Sequence, residues 1–181
     1  MDILSHALWA GAAGEWLRRR RGSGRRVLAA TVAMGAVPDL MMLAPVIVWS
    51  GFQPEPIELV HQYITASPGQ GPLLPPVVAA LSHHLHCIMH SAIIAAVVGL
   101  IAWWKRPEFV LPMVGWWLHI ALDIPTHSND YYAVPFLYPL TYWGVNGIPW
   151  TTPWLLALNY LGIAGVYALL FSARPAARAP S

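Results

Sequence analysis

Charge is scarce in this chain. Asp, Glu, Lys and Arg together make up 10% of its 181 residues, against about 25% in an ordinary soluble domain. That deficit argues against a disordered chain, a basic protein that coats nucleic acid and an ordinary cytosolic enzyme. Cysteine is almost missing as well. Cys87 is the only one, which excludes an internal disulfide framework and a CxxC metal site. One thiol among apolar residues and histidines reads as core rather than nucleophile. There is no G-x-S-x-G and no internal repeat, so neither a serine-hydrolase elbow nor a solenoid is indicated. What remains is apolar bulk: 57% of residues are hydrophobic and ten are Trp, with a mean hydropathy of +0.51. Such a composition points to a helical membrane protein.

Five apolar runs read as helices: residues 3–17, 27–50, 77–104, 109–127 and 153–171. At 1.5 Å per residue about 20 apolar residues cross a bilayer, so the middle runs and the last suffice and the first is marginal. The fold expected is all-α and polytopic, with about five membrane helices in a single domain over residues 1–172 and a flexible cytoplasmic tail over 173–181. Every basic residue falls in one of three clusters: Arg18 to Arg26, Lys105 with Arg106, and Arg174 with Arg178. The connections 51–76 and 128–152 contain none. The positive-inside rule then places the clusters in the cytoplasm and the two long loops outside. The arginine block resembles the start of a signal peptide. The run after it is too long for that, carries Asp39 and follows another apolar segment. The aromatic-rich outer loops read as an interfacial belt, with a lid or lipid-access groove as the sharper alternative.

Ionisable groups inside a span cost at least about 2.5–3.5 kcal/mol near its centre, so each is a functional candidate. His6, Asp39, His90 and His119 lie twelve to fifteen residues from a basic cluster on four different runs, a depth of roughly 18–23 Å in each. His119, Asp123 and His127 follow i, i+4, i+8 and share one helical stripe. His83, His86 and His90 follow i, i+3, i+7, and His84 points elsewhere. Imidazole and carboxylate are the ligands of zinc and similar metals. The alternative is a polar network that merely locks helices together. Ser91, Thr126 and Ser128 adjoin the histidines and are placed to hold their second ring nitrogens, though each reads more often as a plain helix-packing hydroxyl. Glu55, Glu58 and His61 read as a solvated loop face, and Glu15 as a partner of Arg18 or Arg19.

The segments M-D-I-L-S-H-A at 1–7, G-A-V-P-D-L at 35–40, H-S at 90–91, G-W-W-L-H-I-A-L-D-I-P-T-H at 115–127 and F-L-Y-P-L at 136–140 together resemble the predicted membrane-bound metal-dependent hydrolases, a family that includes LexA-regulated bacterial inner-membrane proteins. That family is similar in turn to the zinc-dependent phospholipase C and single-strand nuclease group, all-helical enzymes with a His/Asp metal cluster. The resemblance implies a similar helical core and names His6, Asp39, His90, His119, Asp123 and His127 as metal ligands. Asp2 either caps the first helix or touches the metal. Met41 stands where the family often has a second acidic residue, and where the family often has His-Arg at a fixed spacing before His-Ser this chain has a run of extra histidines without Arg. Which of His83, His84 and His86 contributes stays open.

Taken together, these readings give an expected function. It is metal-assisted hydrolysis of a phosphoester or lipid-like ester at the outer face of a bacterial inner membrane, with one to three divalent ions, zinc by the ligand types. Asp39 or Asp123 would orient or deprotonate water. Membrane lipids are the expected partners and nucleic acid is not. The competing classes are a metal-ion or proton-coupled transporter, since buried Asp/His chains also mark ion pathways, and a non-catalytic scaffold.

Overall fold

The computed structural model describes residues 1–66, 70–130 and 133–172. Among them are seven α-helices: α1 (Ile3–Arg21), α2 (Arg25–Ser50), α3 (Pro56–Thr65), α4 (Pro76–Met89), α5 (Ala92–Lys105), α6 (Met113–Thr126) and α7 (Pro153–Ser172). A 3-10 turn over Pro107–Phe109 joins α5 to α6. The expected tail 173–181, with Arg174 and Arg178, lies outside the described residues.

Local chemistry sets these limits. Asp2 caps α1 by accepting from the Ser5 backbone N–H at 2.9 Å, and Gly22 ends it at φ 65, the left-handed geometry that glycine adopts without strain. Ser91 caps α5 through the Ile94 N–H at 3.1 Å. Pro56 and Pro76 open α3 and α4 at the first helical position, where a missing N–H costs nothing.

Two helices, α2 and α7, are long and apolar enough to cross a membrane, or three if α4 and α5 are one bent span. This corrects the expectation of five. The run 77–104 is not one straight helix but breaks at His90–Ser91 with a bend of 62°. Helix α6 has 14 residues, about 21 Å, short of a hydrocarbon core of about 30 Å. The last turn of α1 consists of four arginines, which removes the apolar length it would need. The connection 51–76, expected as a loop, contains α3, which buries none of its residues.

Helix α2 packs against α1, α4 and α6, while α1 also packs against α6 and α7. Contact between α2 and α6 is close because Gly115 lacks a side chain. A Cβ there would lie 2.1 Å from the Thr31 carbonyl oxygen. An apolar cluster of Ala95, Met113, Trp116 and Ile120 fills the space between α5 and α6. The remaining interior is unusually polar, with Ser5, His6, Thr31, His90, Ser91, His119 and Asp123 all buried. Large apolar side chains point outward instead, among them Leu100, Trp104, Leu161 and Leu169. This distribution suits hydrocarbon surroundings, where buried polar groups must satisfy one another and the exterior need not be polar.

Candidate metal centre

The centre is assembled from α2, the α4–α5 break, and α6. In α2, Pro38 interrupts the helical ladder, because its ring has no N–H and crowds the carbonyl four residues back. The same turn presents the Asp39 carboxylate inward and the Gly35 carbonyl toward α6. His119 Nδ1 donates to that Gly35 oxygen at 2.8 Å. At the break, His90 is the C-cap of α4, and its Nδ1 donates to the His86 carbonyl at 2.9 Å. The break is held from three sides. Trp116 Nε1 donates to the Met89 carbonyl at 2.6 Å, the Ala92 N–H to Phe136 O at 2.9 Å, and the Ser91 hydroxyl to Tyr138 O. Segment 136–140, singled out in the sequence, thus supplies the acceptors that a broken helix requires.

These bonds fix the tautomers. A carbonyl oxygen can only accept, so the Nδ1 atoms of His90 and His119 carry hydrogen. In the neutral rings each Nε2 then presents a lone pair. The two Nε2 atoms lie 3.0 Å apart. Around them stand Asp123 Oδ2, at 3.3 Å from His90 and 3.2 Å from His119, and Asp39 Oδ1, at 3.5 and 3.7 Å. One ligand atom from each of Asp39, His90, His119 and Asp123 falls within 4.8 Å of all the others. Four electron-rich atoms facing one another in a buried space repel unless a cation, a proton or a metal ion, sits among them. Asp39 Oδ2 and Asp123 Oδ2 accept no hydrogen bond among the described residues. The donor set, two imidazoles and two carboxylates, is one that zinc and related divalent ions take. Ligating histidines typically give their other N–H to a carbonyl or carboxylate, as both do here.

The other two expected ligands flank Asp123. His6 on α1 stacks on His119 with ring centroids 3.7 Å apart and brings Nε2 to 2.9 Å from Asp123 Oδ1. Among the described residues its two ring nitrogens make no hydrogen bond of good geometry. His127 caps the C-terminus of α6 in extended conformation, with Nδ1 3.1 Å from the Asp123 carbonyl and 3.6 Å from Oδ1. Segment 147–150 holds it there. Gly147, Ile148 and Trp150 donate to the carbonyls of His127, Pro125 and Thr126 at 2.8–2.9 Å. A Cβ on Gly147 would lie 2.2 Å from Pro125 O, so only glycine permits that approach. The amino group of Met1 also meets Asp123 Oδ1. The carboxylate of Asp123 therefore turns Oδ1 to the Met1 amino group, His6 and His127, and Oδ2 to the Nε2 atoms of His90 and His119.

Some expectations need correction. Ser91, Thr126 and Ser128 do not orient the histidines. Ser91 caps a helix, and Thr126 donates to Leu122 O at 2.8 Å. Backbone carbonyls orient the rings instead, since they lie closer once the helices meet. Asp2 is a helix cap, and its second oxygen accepts from the Ser5 hydroxyl at 2.6 Å. Of the extra histidines, His83 and His84 are exposed, while His86 is buried with its ring 4.1 Å from that of His90. Glu15 pairs with both Arg18 and Arg19, at 2.6 and 2.7 Å.

The structure adds residues not singled out from the sequence. Asn159 on α7 accepts from Trp9 Nε1 at 2.8 Å and donates to the Ser5 hydroxyl at 2.7 Å. Tyr160 donates to Asp2 at 3.0 Å. This network ties α7 to the start of α1, next to His6. The signal was present, since Asn159 is the one amide in an apolar run.

Beside the centre is a cavity of about 360 Å³, within the range of small-molecule sites. Asp39, His90 and His127 reach it on one side, and Ile3, Leu4, Leu43 and Ile64 form apolar walls. Asp123 is fully buried and lies behind this surface. Comparisons with protein-family models, curated proteins and solved structures return no match, so the reading of this chain rests on its own residues.

Proposed function

We propose that this protein is a membrane-bound, metal-dependent hydrolase that cleaves a phosphoester or lipid-like ester at the outer face of a bacterial inner membrane. One observation carries the reading: two imidazole lone pairs 3.0 Å apart, hemmed in by two buried carboxylates. Asp39, His90, His119 and Asp123 would hold one divalent ion, zinc by the donor set. His6 and His127 stand on the other side of Asp123, whose Oδ1 meets the Met1 amino group. When bound, such ions lower the pKa of water and polarise the oxygen of a scissile ester.

The chain's own groups divide the rest of the work. Asp39 reaches the cavity whereas Asp123 does not. Asp39 Oδ2, which accepts no hydrogen bond among the described residues, is the base that takes a proton from the attacking water. The water oxygen bonds to phosphorus, the ester P–O bond breaks, and the departing oxygen takes up the proton that Asp39 accepted. Asp123 neutralises positive charge and aligns His6, His119 and His127 around itself. Gly35 O and His86 O keep the two rings in the tautomer that leaves Nε2 unprotonated. Among the described residues no Lys or Arg lines the cavity, so a bound ion would meet the charge of a phosphate. The apolar walls exclude water and favour a substrate that arrives from the lipid phase.

The test is metal analysis of the purified, folded protein, together with turnover of a panel of phosphodiesters. Stoichiometric zinc and hydrolysis abolished by Asp39→Asn are expected. A folded protein that takes up no divalent metal refutes the proposal.

A further inference from the structure

A second cavity, of about 320 Å³, adjoins the first and shares Met42, Tyr63 and His86 with it. Its character differs. Ile3, Leu4, Leu43 and Ile64 wall the first opposite Asp39 and its histidines, whereas the second combines the Ser82 hydroxyl, His83 and the shared Tyr63 with Pro72, Leu73, Leu74 and Ala79. No Asp, Glu, Lys or Arg lines it among the described residues. Ser82 donates to the Met42 carbonyl at 2.8 Å, which commits its hydrogen. The Tyr63 hydroxyl, 2.7 Å away, is then the donor to Ser82. Each hydroxyl oxygen keeps a lone pair for an incoming O–H.

Resting on the hydrolase reading, we propose that the substrate is a phosphoester amphiphile that occupies both cavities. Its hydrocarbon chain lies in the first, and its leaving group, an uncharged hydroxyl-bearing group, lies in the second. The scissile phosphate then falls beside Asp39 and His90, near the His86 junction. A cationic head would find no carboxylate in the second cavity, and an anionic head no ammonium or guanidinium. Desolvating either without a counter-charge is unfavourable, whereas a polyol exchanges water hydrogen bonds for those of Ser82 and Tyr63. The chain-binding walls commit the ligand to a lipid rather than a free sugar phosphate.

The experiment uses the full-length, zinc-loaded protein in mixed micelles. The substrates are lipids with identical acyl chains and glycerol, choline or serine phosphoester heads, plus glycerophosphoglycerol, which has the head without chains. A kcat/KM at least about tenfold higher for the glycerol-headed lipid is expected over each of the other three. Ser82→Ala and, independently, Tyr63→Phe should shrink that preference severalfold. Equal rates across heads, a preference for a charged head, or chainless substrate cleaved as well as lipid would overturn the proposal. A second arm reads binding without chemistry. Native mass spectrometry of the chelated protein should show glycerol-headed lysolipid retained over choline-headed lysolipid. If that selectivity is present without any turnover, hydrolysis fails and the two-cavity site stands. If a soluble nitrophenyl phosphodiester is cleaved with no head selectivity in either arm, hydrolysis stands and the two-cavity site fails.

Discussion

Replacing Gly115 by alanine adds one methyl group at the point where α6 crosses α2. The new Cβ would stand 2.1 Å from Thr31 O and 3.0 Å from the Gly35 N–H nitrogen. Both atoms are backbone, so neither can rotate aside. Relaxing the first contact to an ordinary 3.4 Å requires the helices to part by about 1.3 Å. Four residues along α6, His119 donates to Gly35 O at 2.8 Å, and a shift of that size breaks the bond. Overpacking of this kind costs about 1–3 kcal/mol. Loss of a hydrogen bond that orients a metal-binding imidazole typically lowers metal affinity about 10- to 100-fold. The variant should therefore fold with a lowered midpoint and hold zinc at least about tenfold more weakly, read by competition with a chromophoric chelator. Gly165→Ala is the control, since a Cβ there meets nothing within 4 Å, and it should match the wild type in both assays. A Gly115→Ala protein with wild-type zinc affinity would show that the α2–α6 distance does not set the centre. Equal losses in both variants would show that glycine content, not that contact, is responsible.

Two further predictions bear on the network and on the histidines. Asn159→Leu strands Trp9 Nε1 and the Ser5 hydroxyl and should lower stability by about 1 kcal/mol, within the range of polar contacts between membrane helices, measured by unfolding in detergent. Among the histidines, His84→Ala should keep full zinc content, because that side chain is exposed. His119→Ala should lose the metal while helical content by circular dichroism is retained; helical collapse instead would favour a scaffold over a metal site.

The four side chains that meet at the centre, Asp39, His90, His119 and Asp123, stood out in the sequence because each signal was local or periodic. A histidine or carboxylate inside an apolar run is costly wherever the run folds, and the i, i+4, i+8 spacing survives in α6, where His119 and Asp123 remain one turn apart and His127 caps the end. Span number was not legible. Hydropathy registers 77–104 as one apolar stretch, and the break at His90–Ser91 depends on partners from elsewhere: Trp116, Phe136 and Tyr138. The partners that orient the imidazoles escaped for the same reason. Gly35 O is 84 positions from His119, and carbonyls leave no mark in a sequence. Helix α3 was missed because prolines and glycines surround it, although its own residues carry an amphipathic pattern.

The break also explains why residues matched by depth along straight helices, Asp39, His90 and His119, meet in the fold. His90 stands at the end of α4, so its position is set by where that helix stops, not by its distance from Lys105. Non-helical backbone at such a point is tolerated only when protein satisfies it. Here that need is met by Trp116 on one side and the 136–138 carbonyls on the other. Trp116 lies one turn before His119 on α6, so the helix that carries two of the candidate ligands also pins the end of the helix that carries a third. Bending at the break frees His90 from the face that an unbroken α4–α5 helix would impose, and lets its Nε2 approach that of His119 to 3.0 Å. A continuous helix would have extended that backbone past the centre. The discontinuity is therefore part of how the site is built.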